Sequence, residues 1–131
     1  MTLTNDPFVA IVSSDHPLNK KGSVSREDLS NEPFIMMHPD VRSDCSIYLE
    51  QNGVTPDIRF SCSDTLAAYH LVEAGLGITL DNSIYAPQFS GNVTALPLDP
   101  PFEIPIGIAM PRLEQRSPAA TRFIEMSLSY F

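Results

Sequence analysis

The run Phe8-Val9-Ala10-Ile11-Val12 constrains this chain most. Five consecutive apolar residues leave no polar face for solvent, so a strand built from them must be covered on both sides. Phe34-Ile35-Met36-Met37 makes the same demand further on. Sheets buried on both faces need helices above and below, and the intervening residues supply them. Ser25 can cap a turn holding Glu27 and Asp28, acids that the helix dipole favours there. Ser43 or Asp44 opens a helix through Ile47, Tyr48 and Leu49, with Gly53 as its stop. Ser63 or Asp64 opens the strongest helix, Thr65 to Ala74, closed by Gly75. Gly75-x-Gly77 reads as that helix stop followed by a close backbone passage.

Further strands are expected over residues 57–61, 77–80, 93–98 and 104–110. Ser117-Pro118 starts a last helix running nearly to Phe131. The residues before Phe8 read as a polar start, and those from Asp15 to Gly22 as a loop. Strands alternating with helices through short connections define an α/β fold with a mainly parallel sheet flanked by helices.

Charge narrows the function. Eight Lys+Arg against sixteen Asp+Glu leave a net charge of −8 over 131 residues, and Lys20-Lys21 is the only adjacent basic pair. Phosphate binding needs clustered cations, so direct nucleic-acid contact by these residues is disfavoured. No apolar run reaches the roughly 18 residues needed to cross a bilayer. Residues 1–7 lack the basic and apolar regions of a signal peptide, so a cytoplasmic location without membrane contact is expected. Cys45 and Cys62 are too few for a disulfide framework and read as free, partly buried thiols.

In open α/β sheets, ligands sit beyond the carboxyl ends of strands, where helix N-termini point their free amides. Two such ends occur: residues 38–43, with His38, Pro39, Arg42 and Ser43, and residues 61–65, with Ser63, Asp64 and Thr65. Arg42 could meet a carboxylate bidentately, and the three hydroxyl residues offer donors. Ordinary helix capping accounts for Ser, Asp and Thr at these places equally well. Asp81 follows the strand at Ile78 and would repel an anionic ligand, although capping of the next turn also explains it. His16, His38 and His70 lack metal-ligand spacing, and Gly75-x-Gly77 is too short for a dinucleotide fingerprint, so no metal or cofactor is expected. Cys45 near a helix N-terminus could have a lowered pKa, but no third group orients it, so an enzyme is not expected.

Four segments in order resemble the effector-binding domain of LysR-type transcriptional regulators. They are Phe8 to Leu18 with its Asp-His-Pro-Leu turn, Val24 to Ile35, Ser63 to Ile78 with Leu71-Val72-Glu73-Ala74-Gly75-Leu76-Gly77-Ile78, and the closing Leu96-Pro97-Leu98-Asp99 with Ser117 to Phe123. The departure is Leu80-Asp81-Asn82-Ser83, where the family often has an apolar-apolar-Pro segment.

The resemblance implies a type 2 periplasmic-binding-protein-like lobe with one crossing strand, a returning strand and a C-terminal helix. Residues 1–13 would be the segment and crossing strand from lobe one, 14–107 the second lobe, and 108–131 the return to lobe one. The winged helix-turn-helix and the first half of lobe one would lie outside the chain, and DNA would be reached only through that absent domain. It further implies a small-molecule effector, held between lobes by the strand-end loops, and self-association as a dimer or higher. A stand-alone dimerisation module and a cysteine-dependent enzyme are the rival readings. Without the lobe-one sheet, residues 8–12, residues 104–110 and the last helix would lack partners, and oligomerisation or domain exchange would cover them.

Overall fold

The computed structural model describes residues 1–131, the side chain of Leu113 excepted. Its first strand, β1 (Thr2–Ser13), carries the five-residue apolar run in its second half. After it come α1 (Leu18–Lys21), β2 (Val24–Ser25), α2 (Arg26–Asn31) and β3 (Pro33–Met37). The chain continues through α3 (Asp44–Gln51), β4 (Asp57–Cys62), α4 (Thr65–Glu73) and β5 (Thr79–Asn82). It ends with β6 (Val93–Asp99), β7 (Glu103–Gly107) and α5 (Pro118–Leu128).

One strand opposes all the others. β1 is antiparallel to β5, β6 and β7, while β2 runs parallel to β6 and β3 parallel to β4. A parallel bridge from Phe34 to Ile78 joins β3 to the residue just before β5. Strands β2 to β7 therefore share one direction, and β1 crosses them. The fold is a mixed α/β lobe with a crossing strand, as expected, but three of its five ladders are antiparallel because β1 takes part in each of them. An unbroken apolar run demands burial on both faces and says nothing of strand direction.

The run is buried on both faces. Phe8, Ala10 and Val12 join one cluster with Leu29, Phe34, Tyr48, Ile78 and Leu80. Val9 and Ile11 join the other with Ile35, Met37, Ala68, Tyr69 and Val72. Alternate side chains of a strand point to opposite faces, so each β1 residue is assigned to its cluster by position alone.

Local chemistry sets the helix ends. Ser25 and Asp28 exchange side-chain and backbone bonds around the start of α2, and Ser43 and Ser46 do the same for α3. The Asp64 carboxylate accepts from the Leu66 and Ala67 amides at 2.7 and 3.3 Å, opening α4. Gly75 follows α4 at φ 77°, where a side chain would be strained. At Gly77 a Cβ would come within 2.7 Å of the Pro33 carbonyl oxygen, the close passage that the sequence suggests.

Four expectations need correction. The polar start is a strand: residues 2–7 pair with β7, since backbone hydrogen bonds need no apolar side chains. Residues 8–12 do not lack partners, because β5 and β6 flank them within this chain. The loop around Lys20 contains one helical turn, α1, which Gly22 ends at φ 77°. The strand expected to reach Met110 ends at Gly107.

Candidate functional site

A cleft of about 130 Å³ opens at the carboxyl ends of β3 and β5, against the first turn of α3. Phe8, Met37 and Leu80 give it apolar walls, and Ser43, Asp44, Cys45, His38, Asp81 and Asn82 complete it. The crossing strand places Phe8 there, since its register sets Phe8 opposite Asn82.

His38 holds the two strand-end loops together. Its backbone N–H donates to the Cys62 carbonyl at the end of β4 at 2.8 Å, and its own carbonyl accepts from Val41. Its φ of 51° lies in the left-handed region, which few non-glycine residues occupy. Such backbone strain persists only where the surroundings impose it, and it concentrates at functional sites.

Asp81 is the buried charge of the cleft, 8% exposed. One of its oxygens accepts from the Tyr69 hydroxyl at 2.8 Å and the other from the Asn82 amide at 2.9 Å. Burial pushes its pKa up, opposed by those two hydrogen bonds; the negative charge of Asp6 adds to the rise and His38 opposes it. Asp6 is equally buried and accepts from the Ser83 hydroxyl at 2.7 Å. Tyr69 is held protonated by burial and by the Asp81 charge.

Cys45 lines the cleft with its side chain buried. Burial, reinforced by the Asp81 charge, pushes its thiol up to about 12, which overturns the expectation of a lowered value. Burial in a low-dielectric surrounding disfavours the charged thiolate. Both cysteines are free.

Of the residues singled out from the sequence, the structure brings His38, Ser43 and Asp81 together in this cleft. Arg42 is exposed and pairs with Glu50 at 3.6 Å, outside it. Pro39 and Ser63 are exposed on the loops at the same end of the sheet, Thr65 is exposed at the start of α4, and Asp64 is engaged in capping that helix. Phe8, Met37, Asp44, Leu80 and Asn82 were not anticipated. Phe8, Met37 and Leu80 read as core in sequence, and they are core residues whose ends meet the cleft. Asp44 and Asn82 each neighbour an anticipated residue, and that adjacency was the available signal.

An α/β lobe with a crossing strand and a cleft at its strand ends has the architecture of a type 2 periplasmic-binding-protein-like lobe. The description of the LysR substrate binding domain matches residues 1–131, and the chain belongs to that family. It is 27% identical over 131 residues to the uncharacterized HTH-type transcriptional regulator YvbU of Bacillus subtilis (strain 168), covering 98% of this chain and 45% of that protein.

Its fold is similar to that of HinK, a LysR family transcriptional regulator from Pseudomonas aeruginosa, with a TM-score of 0.81 and 23% identity, covering 99% of this chain and 47% of that one. It is similar, too, to the effector binding domain of QuiR in complex with shikimate, with a TM-score of 0.78 and 24% identity, covering 99% and 63%. The chain thus spans less than half the length of YvbU.

Proposed function

We propose that this domain is the small-molecule effector-sensing part of a LysR-type transcriptional regulator. The observation that carries the reading is the cleft at the carboxyl ends of parallel strands, beside the first turn of α3, in a member of this family. His38, Ser43 and Asp81 contact the effector, while Pro39, Arg42, Ser63, Asp64 and Thr65 border its approach from the neighbouring loops. QuiR's domain holds shikimate.

The effector contacts open and closed arrangements of two lobes unequally and shifts their populations. In the whole regulator that shift repositions DNA-binding domains, and this lobe performs no catalysis. Residues 14–107 form the second lobe, with 1–13 and 108–131 linking it to the first. The regulator self-associates and works in the cytoplasm.

Amide spectra of the isotope-labelled domain test the site. Titration with a library of small organic acids, amines and sugars is expected to move the resonances of His38, Ser43 to Cys45 and Leu80 to Asn82. Binders that move only resonances elsewhere would sink the proposal.

A further inference from the structure

The charge of the cleft runs against an acidic ligand. Its lining holds two carboxylates, Asp44 and Asp81, and no Lys or Arg; His38 alone there can carry positive charge. Arg42, the nearby cation in sequence, is engaged with Glu50 outside it. The first turn of α3 would ordinarily attract an anion, but it is already compensated. Asp44 sits in that turn, the Ser43 hydroxyl accepts from the Ser46 amide, and the Ser46 hydroxyl accepts from the Ser43 amide. Asp6, buried and close enough to raise the Asp81 pKa, adds negative potential.

Asp81 also has capacity to spare. A carboxylate offers about four lone-pair sites, and Tyr69 and Asn82 use two. Apolar walls from Phe8, Met37 and Leu80 keep solvent from screening what remains. We infer that the cleft takes its ligand through a compact cationic group, an ammonium on a single ring or short chain, which meets Asp81. The inference rests on the cleft being the effector site, and it names the chemical class. A cleft of about 130 Å³ matches that size, since a cavity of roughly 150 Å³ holds benzene.

Three probes of one shape decide it: benzylammonium, benzoate and benzyl alcohol, each titrated into the isotope-labelled domain at about 0.15 M salt, where distant surface charges are screened. Benzylammonium is expected to bind about tenfold more tightly than benzoate while moving the amides of Cys45, Leu80 and Asn82, as a charge-assisted bond to a partly desolvated carboxylate requires. Asp81→Asn, which keeps an acceptor for Tyr69, removes the preference. Glu125→Gln, exposed on α5 and outside the cleft lining, leaves it intact and excludes a general pull from the −8 net charge.

Benzoate moving the same amides with equal affinity overturns the cationic class and leaves the cleft as the effector site. Unchanged benzylammonium affinity in Asp81→Asn overturns it as well. Probes that move only amides elsewhere, or none, overturn both readings. Should Asp81→Asn lose its dispersed spectrum, Asp44→Asn, on the exposed rim, decides instead: a weakened preference supports the cationic class and an unchanged one rejects it.

Discussion

The two halves of β1 are one continuous strand, yet they pair with different neighbours and live in different surroundings. Residues 8–13 are all buried, flanked by β5 and β6 and covered by a cluster on each face. Residues 2–7 pair with β7, yet only Asp6 among them is buried. Beside this half, Leu3 and Ile108 face Phe123, Met126, Ser127, Tyr130 and Phe131 across a groove of about 400 Å³. Ile124 is the one buried residue of α5, while Phe123 is 63% and Tyr130 82% exposed. Backbone pairing therefore does not separate the halves. Removal of apolar area from water does, and that term dominates folding.

Truncation within the buried half tests the contrast most severely. Ile11→Ala, at a fully buried site, is expected to cost about 2–5 kcal/mol in urea denaturation. Phe123→Ala on α5 is expected to cost less than about 0.5 kcal/mol, the range of ordinary surface changes. Equal costs would mean that the α5 end is as tightly integrated as the core, and the contrast would fail. Next in size is association. An exposed apolar groove of this extent marks a contact surface, so the domain is expected to self-associate with rising concentration in sedimentation velocity. Phe123→Asp should then weaken that association about tenfold, roughly 1.4 kcal/mol. A chain monomeric at every concentration would break this expectation.

The same contrast explains what could be read in advance. Caps at Ser25, Ser43, Asp64 and Ser117, and the stop at Gly75, depend on a few neighbouring residues and were legible. So was the two-sided burial of residues 8–12, since an apolar run admits little else. The strand character of residues 2–7 was not, because its cause is a ladder to β7 about a hundred residues away. At the cleft, the strand-end rule pointed to His38 and Ser43, and the acid following the strand at Ile78 pointed to Asp81. Phe8, Met37 and Leu80 carried no signal, for nothing in an apolar residue distinguishes a core contact from a cleft wall. Arg42 lies outside the cleft for a different reason: a long exposed side chain takes the partner within reach, here Glu50. Cys45 turned on depth, since burial, reinforced by the Asp81 charge, raises its pKa.

Two smaller effects sharpen the comparison at the cleft. Ser43→Ala removes the acceptor for the Ser46 amide and is expected to lower stability by about 1 kcal/mol at any pH where the fold holds. Asp81→Asn should act in the opposite sense, and only at higher pH. Because burial raises the Asp81 pKa in the folded state, the folded protein binds that proton more tightly than the unfolded chain. The stability that this carboxyl contributes is therefore complete below its unfolded value, about pH 4, and is lost as pH rises through the folded value. Asparagine carries no such charge and keeps an acceptor for the Tyr69 hydroxyl. Around the site, the charge of Asp6 opposes ionisation of Asp81 and His38 favours it. The variant's Tm is expected to exceed the parent's by at most a few degrees near neutrality, with the difference closing as pH falls toward about 4. A difference of the same size at every pH would mean that Asp81 acts through packing alone, with no ionisation cost at the heart of the cleft.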